Sequence, residues 1–115
     1  MTGVYVTKSI PGLERLGRFD LSVWDGVGPV PSDVLRREIA GVSGLLCMLT
    51  DRVDGQLLDQ APALKVVSQM AVGVDNVDVA ACVARGIALG HTPDVLTETV
   101  ADSAFALLAA VVRRL

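Results

Sequence analysis

The chain has 115 residues, 51% of them apolar, with ten basic and thirteen acidic residues and a formal net charge of −3. That length fits one domain, and interspersed charge without a basic stripe excludes the electrostatic footprint of a nucleic-acid binder. The opening MTGVYVTKS has no leader pattern, and the longest apolar run, nine residues from Ala104 to Val112, falls well short of the ~20 a bilayer demands, so a cytoplasmic protein without a membrane partner is expected.

In chain order, Val4 to Val6 reads as a first strand. Pro11 to Leu16 reads as a short helix, because proline suits a first turn. Phe19 to Trp24 is a second strand, broken by Gly26, Gly28, Pro29 and Pro31. Ser32 is a good N-cap for a helix through Ala40, with Val34, Leu35 and Ile39 on one face and Gly41 as its stop. Leu45 to Leu49 is continuously apolar, as expected of a strand covered on both faces. Asp54 caps a helix ending near Pro62, and Leu64 to Met70 is the next strand. Asn76 caps a helix through Arg85, which Gly86 ends, and Ile87 to Leu89 is a brief fifth strand. After the loop Thr92-Pro93-Asp94, Thr97 opens the last helix, with Glu98 and Asp102 near its positive end.

Five strands separated by helices predict an α/β fold: a flavodoxin-like, doubly wound parallel sheet with helices on both faces. The only aromatics are Tyr5, Phe19, Trp24 and Phe105, so the core is built from Val, Leu, Ile and Ala. Met48 and Met70 are assigned to it. Cys47 and Cys82 lie in apolar runs without metal-ligand spacing and read as buried, reduced thiols; no metal site is expected. The last helix is apolar on every side, and such a helix must be buried all round. No later residue can cover it, so more chain or a partner is expected to pack there.

In open parallel sheets, ligands bind beyond the carboxyl ends of the strands. Leu49-Thr50-Asp51, the loop from Ala71 to Asn76, and His91-Thr92-Pro93 all reach that edge. Gly73 lets a ligand approach the backbone closely. The amides of Val72 and Gly73, ahead of a helix start at Asn76, would suit a small carboxylate. Equally, Gly73 could simply make a turn, and Asp75 and Asn76 simply cap. Thr50 and Asp51 read as a turn, not a catalytic pair. Gly26-Val27-Gly28 follows a strand but lacks the third glycine of a dinucleotide fingerprint. No nucleophile–base pair or phosphate loop can be assembled, so residue chemistry alone points to a ligand-binding α/β domain.

Leu64 to Asp78, LKVVSQMAVGVDNVD, and residues 86 to 102, GIALGHTPDVLTETVAD, closely resemble consecutive segments of the D-isomer-specific 2-hydroxyacid dehydrogenases. LLCMLTDRVD, residues 45 to 54, is most similar to the glyoxylate and hydroxypyruvate reductase branch. The resemblance implies that residues 1–96 form a substrate-binding domain and 97–115 a helix linking it to an absent NAD(P)-binding Rossmann domain. It implies hydride transfer between NAD or NADP and a small 2-keto or 2-hydroxy acid, by a protein that is homodimeric when complete. Val72 and Gly73 match the pair whose amides hold the substrate carboxylate. Val72 also matches a position touching the nicotinamide end of the cofactor. Leu49 matches a residue lining the substrate pocket, and Val100 a position near the cofactor that is often threonine.

The family's catalytic Arg, Glu and His fall later in its pattern and have no counterpart here. No catalytic residue is therefore assigned, and the isolated chain is expected to be inactive. His91 sits where many relatives carry asparagine and receives no role. The alternatives are a stand-alone small-carboxylate-binding or regulatory module and a corepressor-type relative that works through partner binding.

Overall fold

The computed structural model describes residues 2–115. Five strands form one sheet: β1 (Gly3–Val6), β2 (Asp20–Val23), β3 (Gly44–Cys47), β4 (Val66–Gln69) and β5 (Ala88–Gly90). All neighbours are parallel, in the order β2-β1-β3-β4-β5, with Val4 beside Leu21 and Gly44, and Val67 beside Leu45 and Leu89. That order is the flavodoxin-like one expected, and its direction of winding reverses between β1 and β3. The connections are a 3-10 turn (Leu13–Leu16), α1 (Ser32–Ile39), α2 (Gly55–Asp59) and α3 (Val79–Ala84), and α4 (Thr97–Arg113) follows β5.

Side chains alternate across a strand, which divides the sheet into two unequal faces. Tyr5, Leu45, Cys47 and Val67 point to one face and bury Leu35 and Ile39 of α1, Leu57 and Leu58 of α2 and Cys82 of α3 in a single core. Val4, Leu46, Val66 and Ser68 point the other way. There, Leu16 and Phe19 from the 3-10 turn region border an apolar groove of about 410 Å3. Helices were expected on both faces; α1, α2 and α3 share one. Leu45 to Leu49 was expected to be covered on both sides, yet Leu46 is half-buried and Leu49 exposed. Met70, assigned to the core, is also exposed, because it continues the alternation of β4 on the outward parity.

Two caps differ from expectation. Ser32 is the first helical residue of α1, and Pro31 occupies the cap position without a side-chain bond. Asp78, not Asn76, caps α3 by accepting from the Ala81 amide at 2.9 Å. Asp54 caps α2 as expected, accepting from the Leu57 amide at 3.0 Å, but α2 ends at Asp59. Both cysteines are buried and free.

No residue of α4 is buried. The radius of gyration is 17.0 Å, against about 13 Å for a compact chain of this length. A helix of this length, about 25 Å long by its rise per residue, therefore extends from the sheet with Phe105, Leu107, Leu108, Val111 and Val112 all exposed. No helix among the described residues is long and apolar enough to cross a membrane.

Candidate functional site

Parallel strands deliver their carboxyl ends to one edge, so the loops after β1, β3, β4 and β5 converge there. A buried polar network ties them together. The Thr7 hydroxyl, just after β1, donates to Asp51 Oδ2 at 2.5 Å, and the Met48 amide donates to the same oxygen at 2.8 Å. The Asp51 amide returns a bond to the Met48 carbonyl at 3.0 Å, closing the turn Met48–Asp51. Asn76 reaches back from the loop after β4: its Nδ2 donates to the carbonyls of Met48 at 3.0 Å and Asp51 at 2.7 Å. Gln69, fully buried, donates to Asn76 Oδ1 at 2.6 Å and to the Gly73 carbonyl at 3.3 Å. The Cys47 thiol donates to Gln69 Oε1 at 3.1 Å. Burial, and then the nearby Asp51 carboxylate, pushes that thiol up to about 12, so it remains a donor. Buried polar groups must find partners, and among the described residues no buried side-chain nitrogen or oxygen lacks one.

Val72 and Gly73 follow directly. Three consecutive carbonyls of this loop are engaged: that of Ala71 by the Thr92 amide at 3.0 Å, that of Val72 by His91 Nδ1 at 2.8 Å, and that of Gly73 by Gln69. The amides of Val72 and Gly73 donate to no acceptor among the described residues. Val72 is 49% exposed. Gly73 lies outside the left-handed region, and a Cβ built on it meets nothing within 4 Å. Neither backbone conformation nor packing within the chain therefore demands glycine at 73. The adjacent amides of Val72 and Gly73, like those of Ala71, Val74, Asp75 and Asn76 in the same loop, meet no acceptor among the described residues, and such a pair can donate to the two oxygens of an anion in charge-assisted bonds.

The helix invoked from sequence is not what orients these donors. α3 starts at Val79, too far along the chain for its dipole to act at Val72 and Gly73. The network is the tertiary substitute, and sequence reasoning missed it. One signal was available: Gln69 shares the parity of buried Val67, and a polar side chain on a buried parity needs a partner.

Leu49, 59% exposed, lies in the Met48–Asp51 turn, which Asn76 binds at both ends; the network thus joins Leu49's loop to that of Val72 and Gly73. A cleft of about 480 Å3 opens at the ends of β1, β2 and β3, lined by Thr7, Lys8, Trp24, Met48 and Thr50 but not by Leu49, Val72 or Gly73. Val100 is exposed in the first turns of α4. The Gly26-Val27-Gly28 segment serves the fold: a Cβ on Gly26 would collide with the Trp24 ring, Gly28 has φ of 76°, and Trp24 Nε1 donates to the Gly28 carbonyl at 3.0 Å. Among the described residues no group of metal-ligating side chains assembles.

An open, flavodoxin-like parallel sheet with paired main-chain donors at its strand ends is the architecture of a small-ligand-binding α/β domain. The chain belongs to the D-isomer specific 2-hydroxyacid dehydrogenase family, matching the model of that family's catalytic domain over residues 4–113. It is 45% identical to human glyoxylate reductase/hydroxypyruvate reductase and 44% identical to the glyoxylate reductase of Thermococcus gammatolerans, with 97% of this chain aligned in each case. A crystal structure of a Thermus thermophilus protein superimposes on 98% of the chain with a TM-score of 0.90 and 42% identity. The NADPH-dependent glyoxylate/hydroxypyruvate reductase of Sinorhizobium meliloti, solved with NADP and malonate, aligns over 95% of the chain with a TM-score of 0.70 and 35% identity. The chain spans about a third of these relatives, between 34% and 37% of each.

Proposed function

We propose that this chain is the substrate-binding lobe of a dehydrogenase acting on a small 2-keto or 2-hydroxy acid of the glyoxylate or hydroxypyruvate type. The observation that carries it is the pair of unengaged amides at Val72 and Gly73 on the strand-end edge. Each N–H would bind one carboxylate oxygen and so fix the acid's orientation, which is worth much of a reaction barrier when reacting atoms are aligned. Leu49 would line the pocket that receives the rest of the acid. Malonate in the Sinorhizobium meliloti reductase, and lactic acid with NAD in the Aquifex aeolicus D-lactate dehydrogenase, support a small carboxylate as ligand.

NAD or NADP, bound elsewhere in the complete enzyme, would supply or accept the hydride. The residues here fit only an apolar contact with its nicotinamide end. Val72 and Val100 offer exposed aliphatic side chains, while the Gly26-Val27-Gly28 turn, engaged with Trp24, offers no phosphate cradle. The chain's own contribution is to bind, orient and wall off the acid. It has no residue assigned to move the proton, so the 115-residue chain alone is expected to be inactive. In the complete protein α4 would link to a nucleotide-binding domain, and its exposed apolar sides support that packing. The working enzyme would be a cytoplasmic homodimer.

Gly73→Val tests the cradle. Because nothing in the fold occupies the space of a side chain at 73, its thermal midpoint should match the parent's. Glyoxylate binding, followed by amide resonances, should weaken at least about tenfold as the new side chain blocks the carboxylate's close approach to the two N–H groups. Unchanged affinity would remove the cradle. Robust reduction of glyoxylate with NADPH by the 115-residue chain itself would remove the lobe assignment.

A further inference from the structure

We infer that His91 is a positioning residue: it aims the Gly73 amide of the carboxylate cradle by holding the other end of the same peptide plane. The inference rests on the cradle reading above and extends it to a side chain with no role so far. A trans peptide is planar, so the carbonyl of one residue and the N–H of the next point in opposite directions. The Val72 carbonyl and the Gly73 N–H belong to one such plane. His91 Nδ1 lies 2.8 Å from that carbonyl. A carbonyl oxygen only accepts, so Nδ1 carries the proton and donates. With the carbonyl held on the β5 side, the Gly73 N–H is turned away from it.

The two flanking planes are held by other means. The plane carrying the Val72 N–H is fixed at the Ala71 carbonyl by the main-chain amide of Thr92, at 3.0 Å. The plane carrying the Val74 N–H is fixed at the Gly73 carbonyl by Gln69. Among the described residues, His91 is thus the only side chain that orients a cradle amide, and it does so from the loop that also supplies Thr92. Residues 91 and 92 act as a two-point template for residues 72 and 73. A loop with neither glycine restriction nor helix to shape it would otherwise rotate its peptide planes freely.

The experiment uses the full 115-residue chain, labelled with 15N, and glyoxylate as the probe. With the imidazole neutral, its two ring-nitrogen resonances should report the Nδ1–H tautomer; the Nε2–H tautomer would overturn the inference, since Nδ1 could then not donate. His91→Leu removes the donor, and His91→Asn restores one, because Asn Nδ2 sits one bond beyond Cγ, as Nδ1 does. The rest of the spectrum reports that each variant is folded. His91→Leu should move the Gly73 amide resonance and weaken glyoxylate binding about tenfold, with His91→Asn within about twofold of the parent. Equal binding by parent and His91→Leu would overturn the positioning role and leave the cradle standing. If glyoxylate moves neither the Val72 nor the Gly73 resonance in the folded parent, the cradle itself falls, and the role of His91 with it.

Discussion

The strand-end loops and α4 are both surface features, and they are ordered by opposite means. The loop from Met70 to Asp78 has no regular helix or strand, yet its carbonyls and its Asn76 side chain are bonded to Gln69 of β4 and to residues that follow β3 and β5. α4 is perfectly regular, yet none of its residues is buried. Regularity is local hydrogen bonding within one segment; rigidity against the rest of the molecule requires contacts between segments. A loop held by a closed polar network can therefore present donors in fixed directions, while a long helix without partners offers apolar area and little else. The first is suited to recognising a small ligand, the second to being covered by protein.

The contrast is sharpest under one chemical change made in both regions. Leu58→Ala empties a buried site in the core and should cost about 2–5 kcal/mol. Leu108→Ala on α4 should cost less than about 0.5 kcal/mol. Urea unfolding of both variants measures the difference, and a Leu108→Ala loss rivalling Leu58→Ala would mean that α4 is packed in solution. Next in size is Asn76→Ala, which leaves the Asp51 carbonyl without a partner among the described residues and takes one of two partners from Gln69 Nε2 and from the Met48 carbonyl. Leaving buried groups unpaired should cost about 2–3 kcal/mol, with faster amide exchange concentrated in residues 70–78. A loss of stability without that local change would break the claim that the network orders the loop.

The last effect is a pH slope, modest per pH unit. The Cys47 thiol is raised from its ordinary 9.0 to about 12 by burial and then by Asp51. Between those values the unfolded chain has lost a proton that the folded chain keeps. Stability is therefore full below about 9 and falls by about 1.4 kcal/mol per pH unit as pH rises towards 12. Cys82 and Tyr5, both raised chiefly by burial, add to the fall in the same direction. Cys47→Ser keeps a hydroxyl donor for Gln69 and removes the titrating thiol, so its alkaline unfolding curve should be shallower by one proton. An unchanged slope would show that Cys47 is not the buried donor of the network.

Sequence by itself determined the alternation of strands and helices, the parallel five-stranded class and the burial of both cysteines, because apolar periodicity and composition are properties of segments. It also located the Val72–Gly73 loop at the carboxyl-end edge of the strands, through strand order. Only the tertiary structure decided how that loop is built. Asn76 and Asp78 are both good cap residues, and what separated them was Met48 and Asp51, whose carbonyls recruit Asn76 from 28 and 25 positions away. His91 acquired a partner 19 positions back in the chain. Side-chain hydrogen bonds across such separations leave no periodic trace in a sequence, since they depend on which strand ends the sheet brings together.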